Sequence, residues 1–255
     1  MKTNKICYLG DGDICGPAAY LAGIMTHFGV EYDRVDSDAS PAADFLEKEY
    51  AAYVLSDYPA QNFSQEQLAH LAQAVRNGSG LAMFGGWESY HGRLGEYHET
   101  ILADVLPVVM EQTDDRRNFA QQLFVVPARG AEKHPIIDAL PWGTPPGIGG
   151  FNLFSPKAGA ETILEAIQFH VKQTDGAFSF QEGMRFPLLV GGDYGSGRVL
   201  ALATDVAPHW VGGFVDWGTT RVVQEIPGAD FIDVGADYAT FFRNVLLYIV
   251  EPKRD

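Results

Sequence analysis

Short apolar segments alternate with helical segments over the first 84 residues, and this alternation constrains the fold more than any other feature. Strands are predicted at residues 6–9, 31–35, 52–55 and 81–84. A helix is predicted at 16–28, and Ser64 with Gln67 forms a capping-box signature that begins a second helix, which ends at 77–78. Helices between buried strands are typical of a parallel sheet covered on both faces, so the sequence predicts an α/β fold.

The rest of the chain is less regular. A short helix running into an extended segment is predicted at 101–110, extended structure around 178–186, a hairpin turn at 192–197, and strands at 122–126, 186–191 and 198–204. Residues 127–156 are rich in Pro and Gly and predict an irregular excursion, and 237–250 carries an amphipathic helical pattern. Because no repeat or linker interrupts this order, we expect one domain over residues 1–255.

Charge and composition exclude several classes of partner. The formal net charge is −15 and the pI is near 4.7, so a nucleic acid or an anionic membrane would be repelled. No apolar run is long enough to span a membrane, and only four apolar residues precede Gly10, which is too short for a signal peptide. We therefore expect a cytoplasmic protein whose two cysteines, Cys7 and Cys15, are free thiols.

Polar residues follow several of the predicted strands. In an open parallel sheet, ligands bind outside the carboxyl ends of the strands. The groups that the strand assignment places there are Asp11 and Asp13, Asp57, the segment 85–91, and the segment 205–210 with Asp205, His209 and Trp210. This convergence predicts a site at the carboxyl edge of the sheet.

The segment 85–91 is the centre of that predicted site. Gly85 and Gly86 allow a sharp turn after a strand, and the next residues are displayed beyond it. They are Trp87, Glu88, Ser89, Tyr90 and His91. Two large aromatic side chains disfavour a wholly solvated loop for this segment, which favours a functional role.

Structural alternatives exist for the other polar groups. Asp11, Asp13 and Asp57 are residue types that form turns, and Asp205 could hold His209 in a purely structural hydrogen bond. The glycines of the first loop do not match the dinucleotide fingerprint, and acidic residues there would repel a pyrophosphate, so no nucleotide cofactor is expected. Acidic residues with His91 and His209 could hold a divalent ion, but without a tight ligand spacing no metal site is predicted.

Five segments carry a family resemblance over roughly residues 6–249. They are GLAMFGGWESYHG, DVLPV, HPIIDALP, GGFN and GSGRVLALATDVAPHW. They resemble the proteins called putative glutamine amidotransferases, in the class I glutamine amidotransferase-like superfamily near the ThuA-like (trehalose-utilisation) proteins. The resemblance implies a flavodoxin-like three-layer sandwich with a mostly parallel central sheet and an antiparallel extension.

The chemistry of that superfamily needs a cysteine in a strand-to-helix elbow, activated by a histidine that a glutamate orients. The resemblance places Gly85 or its neighbours at the nucleophile position, and no cysteine is near it in sequence. His209 lies about where the catalytic histidine is expected, but Val211 stands at the position of the glutamate. Glutaminase activity is therefore predicted to be absent.

Three functions stay open. The first is a binding protein for a small polar, carbohydrate-related ligand, with Trp87 and Trp210 as apolar walls. Its polar contacts would come from Glu88, His91, Asp57 and His209. The second is a hydrolase or isomerase in which Glu88 or His209 acts as general base, with Ser89 a candidate nucleophile. The third is a subunit of a homo-oligomer that uses residues 141–156 as its surface.

Overall fold

The computed structural model describes residues 4–251. Residues 1–3, which belong to the N-terminal segment considered above as a signal peptide, lie outside this range. So do residues 252–255, the end of the expected domain. Within it, no helix has the length and apolar character needed to cross a membrane.

The described residues contain thirteen strands and five α-helices, besides short 3-10 turns and loops. The strands are β1 (Ile6–Gly10), β2 (Tyr32–Val35), β3 (Ala52–Ser56), β4 (Gly80–Phe84), β5 (Val108–Met110), β6 (Arg116–Pro127), β7 (Gly147–Asn152), β8 (Phe154–Pro156), β9 (Glu161–Thr174), β10 (Ala177–Tyr194), β11 (Gly197–Leu202), β12 (Arg221–Glu225) and β13 (Phe231–Gly235). The helices are α1 (Ala18–His27), α2 (Gln65–Arg76), α3 (Leu102–Val105), α4 (Pro208–Val215) and α5 (Ala236–Val250).

Nine strands form one sheet in the order β2-β1-β3-β4-β11-β10-β9-β6-β7. Neighbours from β2 to β11 are parallel, and those from β11 to β7 are antiparallel. β1, β3 and β4 are buried along their whole length, as strands covered on both faces must be. Helices α1 and α5 contact each other, and α2 contacts α3, which gives the helical layers of the flavodoxin-like sandwich. The predicted α/β fold with a parallel sheet and an antiparallel extension is confirmed.

Local signals explain why the helices begin and end where they do. The predicted capping box is present: Ser64 Oγ accepts the N–H of Gln67, and the Gln67 side chain accepts the N–H of Ser64. These two bonds satisfy N–H groups that have no partner within the helix. In α5 the aromatic side chains of Tyr238, Phe241 and Phe242 are fully buried, so the amphipathic pattern marks a core-facing helix as predicted.

The second half of the chain corrects several predictions. Residues 127–156 are not simply an excursion, because β7 pairs with β6 and buries Ile148 and Phe151 in the core. The segments predicted separately at 178–186 and 186–191 form one 18-residue strand, β10. Helix α4 and the β12–β13 hairpin were not predicted. β7 and α4 each contain glycines, which have low strand and helix propensity. The sequence pattern therefore indicates neither β7 nor α4.

Candidate functional site

Register across the parallel strands brings distant residues to one level at the carboxyl edge. Gly10 of β1 is paired with Ser56 of β3, Ser56 with Phe84 of β4, and Phe84 with Leu202 of β11. The residues that follow these four strands therefore lie side by side, as an open parallel sheet requires.

Three aspartates meet at this edge and form what we call the acid cluster: Asp11, Asp57 and Asp205. One carboxylate oxygen from each lies within 4.8 Å of the other two. Asp11 and Asp205 are buried and Asp57 is half-buried. Like charges this close in a poorly solvated place repel each other, so the cluster favours a bound proton, a hydrogen-bond donor or a cation.

Asp11 is the least satisfied member of the acid cluster. Its backbone is left-handed (φ 58°) and its N–H donates to the Ser56 carbonyl at 2.9 Å. The Tyr8 hydroxyl donates to its Oδ2, whereas Oδ1 is buried without a hydrogen-bond partner. Burial raises the pKa of Asp11 well above its usual value, and the nearby Asp205 and Asp57 raise it further.

Asp57 is positioned by the segment 85–91. Its Oδ1 accepts the N–H of Glu88 at 2.7 Å, and its own N–H donates to Ser89 Oγ at 3.1 Å. A Cβ on Gly86 would lie 2.0 Å from Oδ1 of Asp57, so only glycine fits beside that carboxylate. Burial, followed by the charge of Asp205, raises the pKa of Asp57 to about 7.

Asp205 is joined to the histidine of the same segment. Its Oδ1 accepts the N–H of Ala207 at 2.9 Å, and its Oδ2 lies 3.2 Å from His209 Nδ1. Because a carboxylate only accepts, Nδ1 carries the proton in this hydrogen bond, and the His209 side chain is 61% exposed. The hydrogen bond to Asp205 raises the pKa of His209 above its usual value.

The turn at Gly85–Gly86 is held by a residue of the antiparallel extension. The side chain of Asn152, at the end of β7, accepts the N–H of Gly86 at 2.8 Å and donates to its carbonyl at 3.0 Å. Its Nδ2 also lies 2.7 Å from Oδ1 of Asp115. Asp115 in turn accepts the N–H groups of His91 and Gly92, each at 3.0 Å.

Two side chains of the segment face outward. Trp87 is 49% exposed, and the Arg116 guanidinium lies 4.8 Å from its ring centre. Glu88 is half-buried, and burial raises its pKa. Tyr90 instead points into the core, where its hydroxyl lies 2.9 Å from the Met83 carbonyl and 3.0 Å from the Leu202 carbonyl and donates its one proton between them.

A second group of titratable side chains, which we call the lip cluster, lies further along the same loop. It consists of His91, Glu96 and His98, with one ligand atom from each within 4.8 Å of the others. The two imidazole rings are 4.1 Å apart at an interplanar angle of 33°. His98 Nδ1 is 3.8 Å from Glu96 Oε2.

The predicted site residues therefore divide into groups. Asp11, Asp57 and Asp205 come together with His209, and the N–H of Glu88 and the hydroxyl of Ser89 hold Asp57. His91 belongs to the lip cluster, Trp87 is at the surface, and Gly85 is pressed against the Ala203 carbonyl. Trp210 is buried, with its Nε1 donating to Asn118 Oδ1 at 2.8 Å.

Sequence reasoning missed four polar residues of this region: Tyr8, His98, Asp115 and Asn152. Tyr8 and Asn152 lie within strands, where polar side chains are usually interpreted as packing residues. Asp115 precedes β6 and is fully buried. The spacing of His98 from His91 matches no ligand motif, and its proximity arises from the fold of the loop.

Comparisons with known proteins agree with this architecture. Cytoplasmic Protein STM1381 from Salmonella typhimurium LT2 is 25% identical, with a TM-score of 0.73 over 96% of this chain and 99% of that chain. Cytoplasmic Protein STM3548 from Salmonella typhimurium is 21% identical, with a TM-score of 0.73 over 98% of this chain and 100% of that chain. The carbohydrate deacetylase Agd3 is 10% identical, with a TM-score of 0.51 over 78% of this chain and 29% of that chain.

No curated protein sequence matches the chain. A family model described as "Putative glutamine amidotransferase" matches residues 51–225, which is more than half of the sequence and includes β3, β4, β11 and the turn between Gly85 and His91. The chain belongs to this glutamine amidotransferase-like family.

Proposed function

We propose that this protein binds a small, neutral, hydroxyl-rich ligand of the carbohydrate or polyol class at the acid cluster. The observation that carries the proposal is the buried, unpartnered Oδ1 of Asp11 beside two further carboxylates at the edge where open parallel sheets bind ligands. A buried polar atom without a partner is costly, and a ligand hydroxyl, which can both donate and accept, would supply the missing hydrogen bond in either protonation state of Asp11.

The chemistry of the surrounding groups restricts the ligand. Carboxylates accept hydrogen bonds and repel anions, so acidic metabolites and phosphates are disfavoured. Trp87 offers an exposed aromatic face on the same loop that positions Asp57. The second apolar wall that the sequence suggested, Trp210, is buried and bonded to Asn118, which leaves Trp87 as the aromatic contact.

The absence of glutaminase activity is part of the proposal. Cys7 is buried in β1, where burial raises its pKa to about 12 and suppresses the thiolate. Cys15 is exposed on the loop after β1, and its Sγ contacts the Gly228 carbonyl at 3.6 Å. Purified protein incubated with glutamine should release no ammonia, and release that Cys15→Ala abolishes would overturn this part.

Titration calorimetry against a panel of neutral monosaccharides and polyols tests the binding proposal. Asp57→Asn should weaken binding at least about tenfold, because an amide replaces one carboxylate acceptor in a poorly solvated site. Gly86→Ala should act similarly by displacing the Asp57 side chain. Asp138→Asn, a surface aspartate paired with Lys133, is the matched control. No binding across the panel, or equal loss in the control, would reject the polyol assignment.

A second candidate, a hydrolase or isomerase, is favoured by the hydrogen bond between Asp205 and His209. A carboxylate that fixes the tautomer of an imidazole with a free Nε2 is the arrangement of a general base. Glu88, whose pKa is raised, is the alternative base. His209→Asn or Glu88→Gln should then abolish turnover of a bound carbohydrate while affinity is largely kept, whereas a binding protein shows no turnover in any variant.

The homo-oligomer alternative is better supported by the β9–β10 hairpin than by residues 141–156. In that stretch Trp142 packs on Trp217 within the chain. The hairpin instead exposes four apolar side chains: Val171, Phe178, Phe180 and Met184. Light scattering of a Phe178→Ser, Phe180→Ser double variant tests this alternative, since loss of assembly is expected only if the hairpin is the contact.

The description of the STM1381 protein as cytoplasmic supports a cytoplasmic location here as well.

A further inference from the structure

We propose that the lip cluster, His91, Glu96 and His98, is a binding site for a divalent transition metal of the zinc class. The proposal is independent of the ligand assigned to the acid cluster. It rests on the unsatisfied imidazoles, on the shape of the loop and on the chemistry of the three donors.

The imidazole nitrogens lack the partners that buried histidines normally have. Nδ1 of His91 and Nδ1 of His98 are both buried without a hydrogen-bond partner. The His98 side chain is only 9% exposed, and its Nδ1 lies on the side of Glu96, 3.8 Å from a carboxylate oxygen. Since buried polar atoms are nearly always satisfied, two orphaned nitrogens in one place indicate a missing shared partner.

The loop is held in a shape that brings the three donors together. Asp115 accepts the N–H groups of His91 and Gly92, and the N–H of Tyr97 donates to the Tyr90 carbonyl at 2.8 Å. The N–H of Glu96 donates to the His91 carbonyl at 3.1 Å, which closes the loop onto itself. These contacts place the donors before any ligand arrives.

Glu96 adopts a backbone conformation that is unfavourable for its side chain. Its φ is 55° and its ψ is 25°, in the left-handed region where non-glycine residues are uncommon. Such a conformation costs on the order of 1 kcal/mol and is often found at functional sites. Here it turns the carboxylate back toward His98.

The donor set selects the metal class. Two imidazoles and one carboxylate suit Zn²⁺ and its neighbours, whereas Mg²⁺ and Ca²⁺ prefer oxygen ligands. Zinc–ligand distances of about 2.0–2.2 Å place tetrahedral ligands about 3.4 Å apart. The observed separations of up to 4.8 Å would need to close by about 1.4 Å, and the 52% exposed Glu96 side chain can move by that amount.

A second carboxylate, that of Glu99, lies near the other ring nitrogen of His98. Glu99 Oε1 lies 3.9 Å from His98 Nε2, on the side of the ring opposite Glu96. Metal-binding histidines commonly donate their other ring N–H to a carboxylate, which fixes the tautomer. At 3.9 Å the two atoms are not hydrogen-bonded, but the exposed Glu99 side chain can close this distance when the metal binds, which would hold a proton on Nε2 and leave Nδ1 for the metal; we therefore assign Glu99 as a positioning residue. Three protein donors leave a fourth position open to water or a ligand.

Metal binding by the full chain tests the site. After incubation with Zn²⁺ and dialysis, elemental analysis should find one zinc per chain. Titration with Co²⁺ should give the intense visible bands of a four-coordinate site with nitrogen donors. His98→Gln should weaken zinc binding at least about 100-fold because it removes one of the three side chains that bind the metal directly. His27→Gln, which changes an exposed histidine on α1, is the matched control and should bind as the unmodified protein does.

Two further variants keep the test decisive. If His98→Gln fails to fold, Glu96→Gln changes a surface side chain and should still weaken binding at least about tenfold. Asp57→Asn should leave zinc binding unchanged, which separates this site from the acid cluster. Failure of the unmodified protein to retain zinc, equal retention by Glu96→Gln, or loss of zinc in Asp57→Asn would each overturn the proposal.

Discussion

The acid cluster and the lip cluster both follow strands of the parallel half of the sheet, but they are assembled in different ways. Asp11, Asp57 and Asp205 come from three loops and meet because the register of β1, β3 and β11 brings their ends together. His91, Glu96 and His98 come from eight consecutive residues and meet because one loop folds back. The first arrangement is a property of the sheet, and the second is a property of local backbone geometry.

The two clusters also differ in what their surroundings allow. The acid cluster has two buried members and can change only by gaining protons, donors or a cation. The lip cluster has one exposed carboxylate and two imidazoles, so it can contract around an ion. Asn152 links them, because its amide holds Gly86 beside Asp57 and also contacts Asp115, which holds the backbone of His91.

Removal of that link should have the largest effect on both clusters. Asn152→Ala deletes three buried hydrogen bonds and leaves the N–H of Gly86 and the Asp115 carboxylate short of partners. We expect a loss of about 3–4 kcal/mol in the free energy of unfolding, measured by denaturant titration. Asn62→Ala, which removes one half-buried bond to the Ser37 carbonyl, is the control and should cost about 1 kcal/mol. Equal losses in the two variants would contradict the linking role.

The buried carboxyl of Asp57 in the acid cluster should make stability depend on pH. The pKa of Asp57 is raised to about 7 in the folded chain by burial and by Asp205, with Glu88 and Asp11 also facing it and His209 opposing them. Between about pH 4 and pH 7 the folded state holds a proton that the unfolded state has lost, so stability falls as pH rises through this window.

The matched variant isolates this contribution. Asp57→Asn retains an oxygen for the Glu88 N–H but cannot ionise, so relative to the unmodified protein it should gain on the order of 3 kcal/mol above pH 7 and little at pH 4. Denaturant titrations at both pH values measure the difference. A gain of equal size at both would show that ionisation of Asp57 is not its cause.

The exposed histidine should report on the acid cluster with a smaller effect. Asp205 raises the pKa of His209, so the ion pair stabilises the fold below the ordinary histidine pKa, and this stabilisation is lost as pH rises through the folded pKa. Because the side chain is 61% exposed, we expect less than about 1 kcal/mol. NMR titration should show the His209 pKa falling in Asp205→Asn, with His209→Gln used to assign the signal. An unchanged pKa would show that the hydrogen bond is absent in solution.

The smallest effect is expected for Trp87, which lies at the surface of the segment 85–91. Trp87→Ala removes a half-exposed ring and its contact with Arg116, which should cost under about 1 kcal/mol by thermal unfolding. It should leave zinc binding unchanged while it weakens polyol binding. A larger loss of stability would mean that Trp87 supports the fold rather than the ligand.

The same contrast explains how much the sequence could predict. β1, β3, β4 and α2 are encoded by local apolar patterns and a capping box, so they and the strand ends with Asp11, Asp57 and Asp205 were predictable. β7, with three glycines in six residues, forms through its pairing with β6, which no local pattern indicates.

The lip cluster was only half predictable for the same reason. His91 was identified from its position after the paired glycines, but its partner His98 depends on the left-handed turn at Glu96 and on the buried Asp115. Asn152 acts from another part of the sheet. Contacts between residues that are distant in sequence produce no periodic pattern from which the sequence could predict them.

The exposure of Trp87 gives the protein an optical reporter. Of its four tryptophans, Trp142, Trp210 and Trp217 donate their indole N–H groups to partners within the fold, at 2.8–2.9 Å. Trp87 alone is exposed among them, and a cationic guanidinium lies over its ring. A neutral dissolved quencher such as acrylamide would therefore quench chiefly the emission of Trp87. A polyol that covers Trp87 should reduce this quenching, so the proposed binding can be followed by fluorescence without attaching a dye.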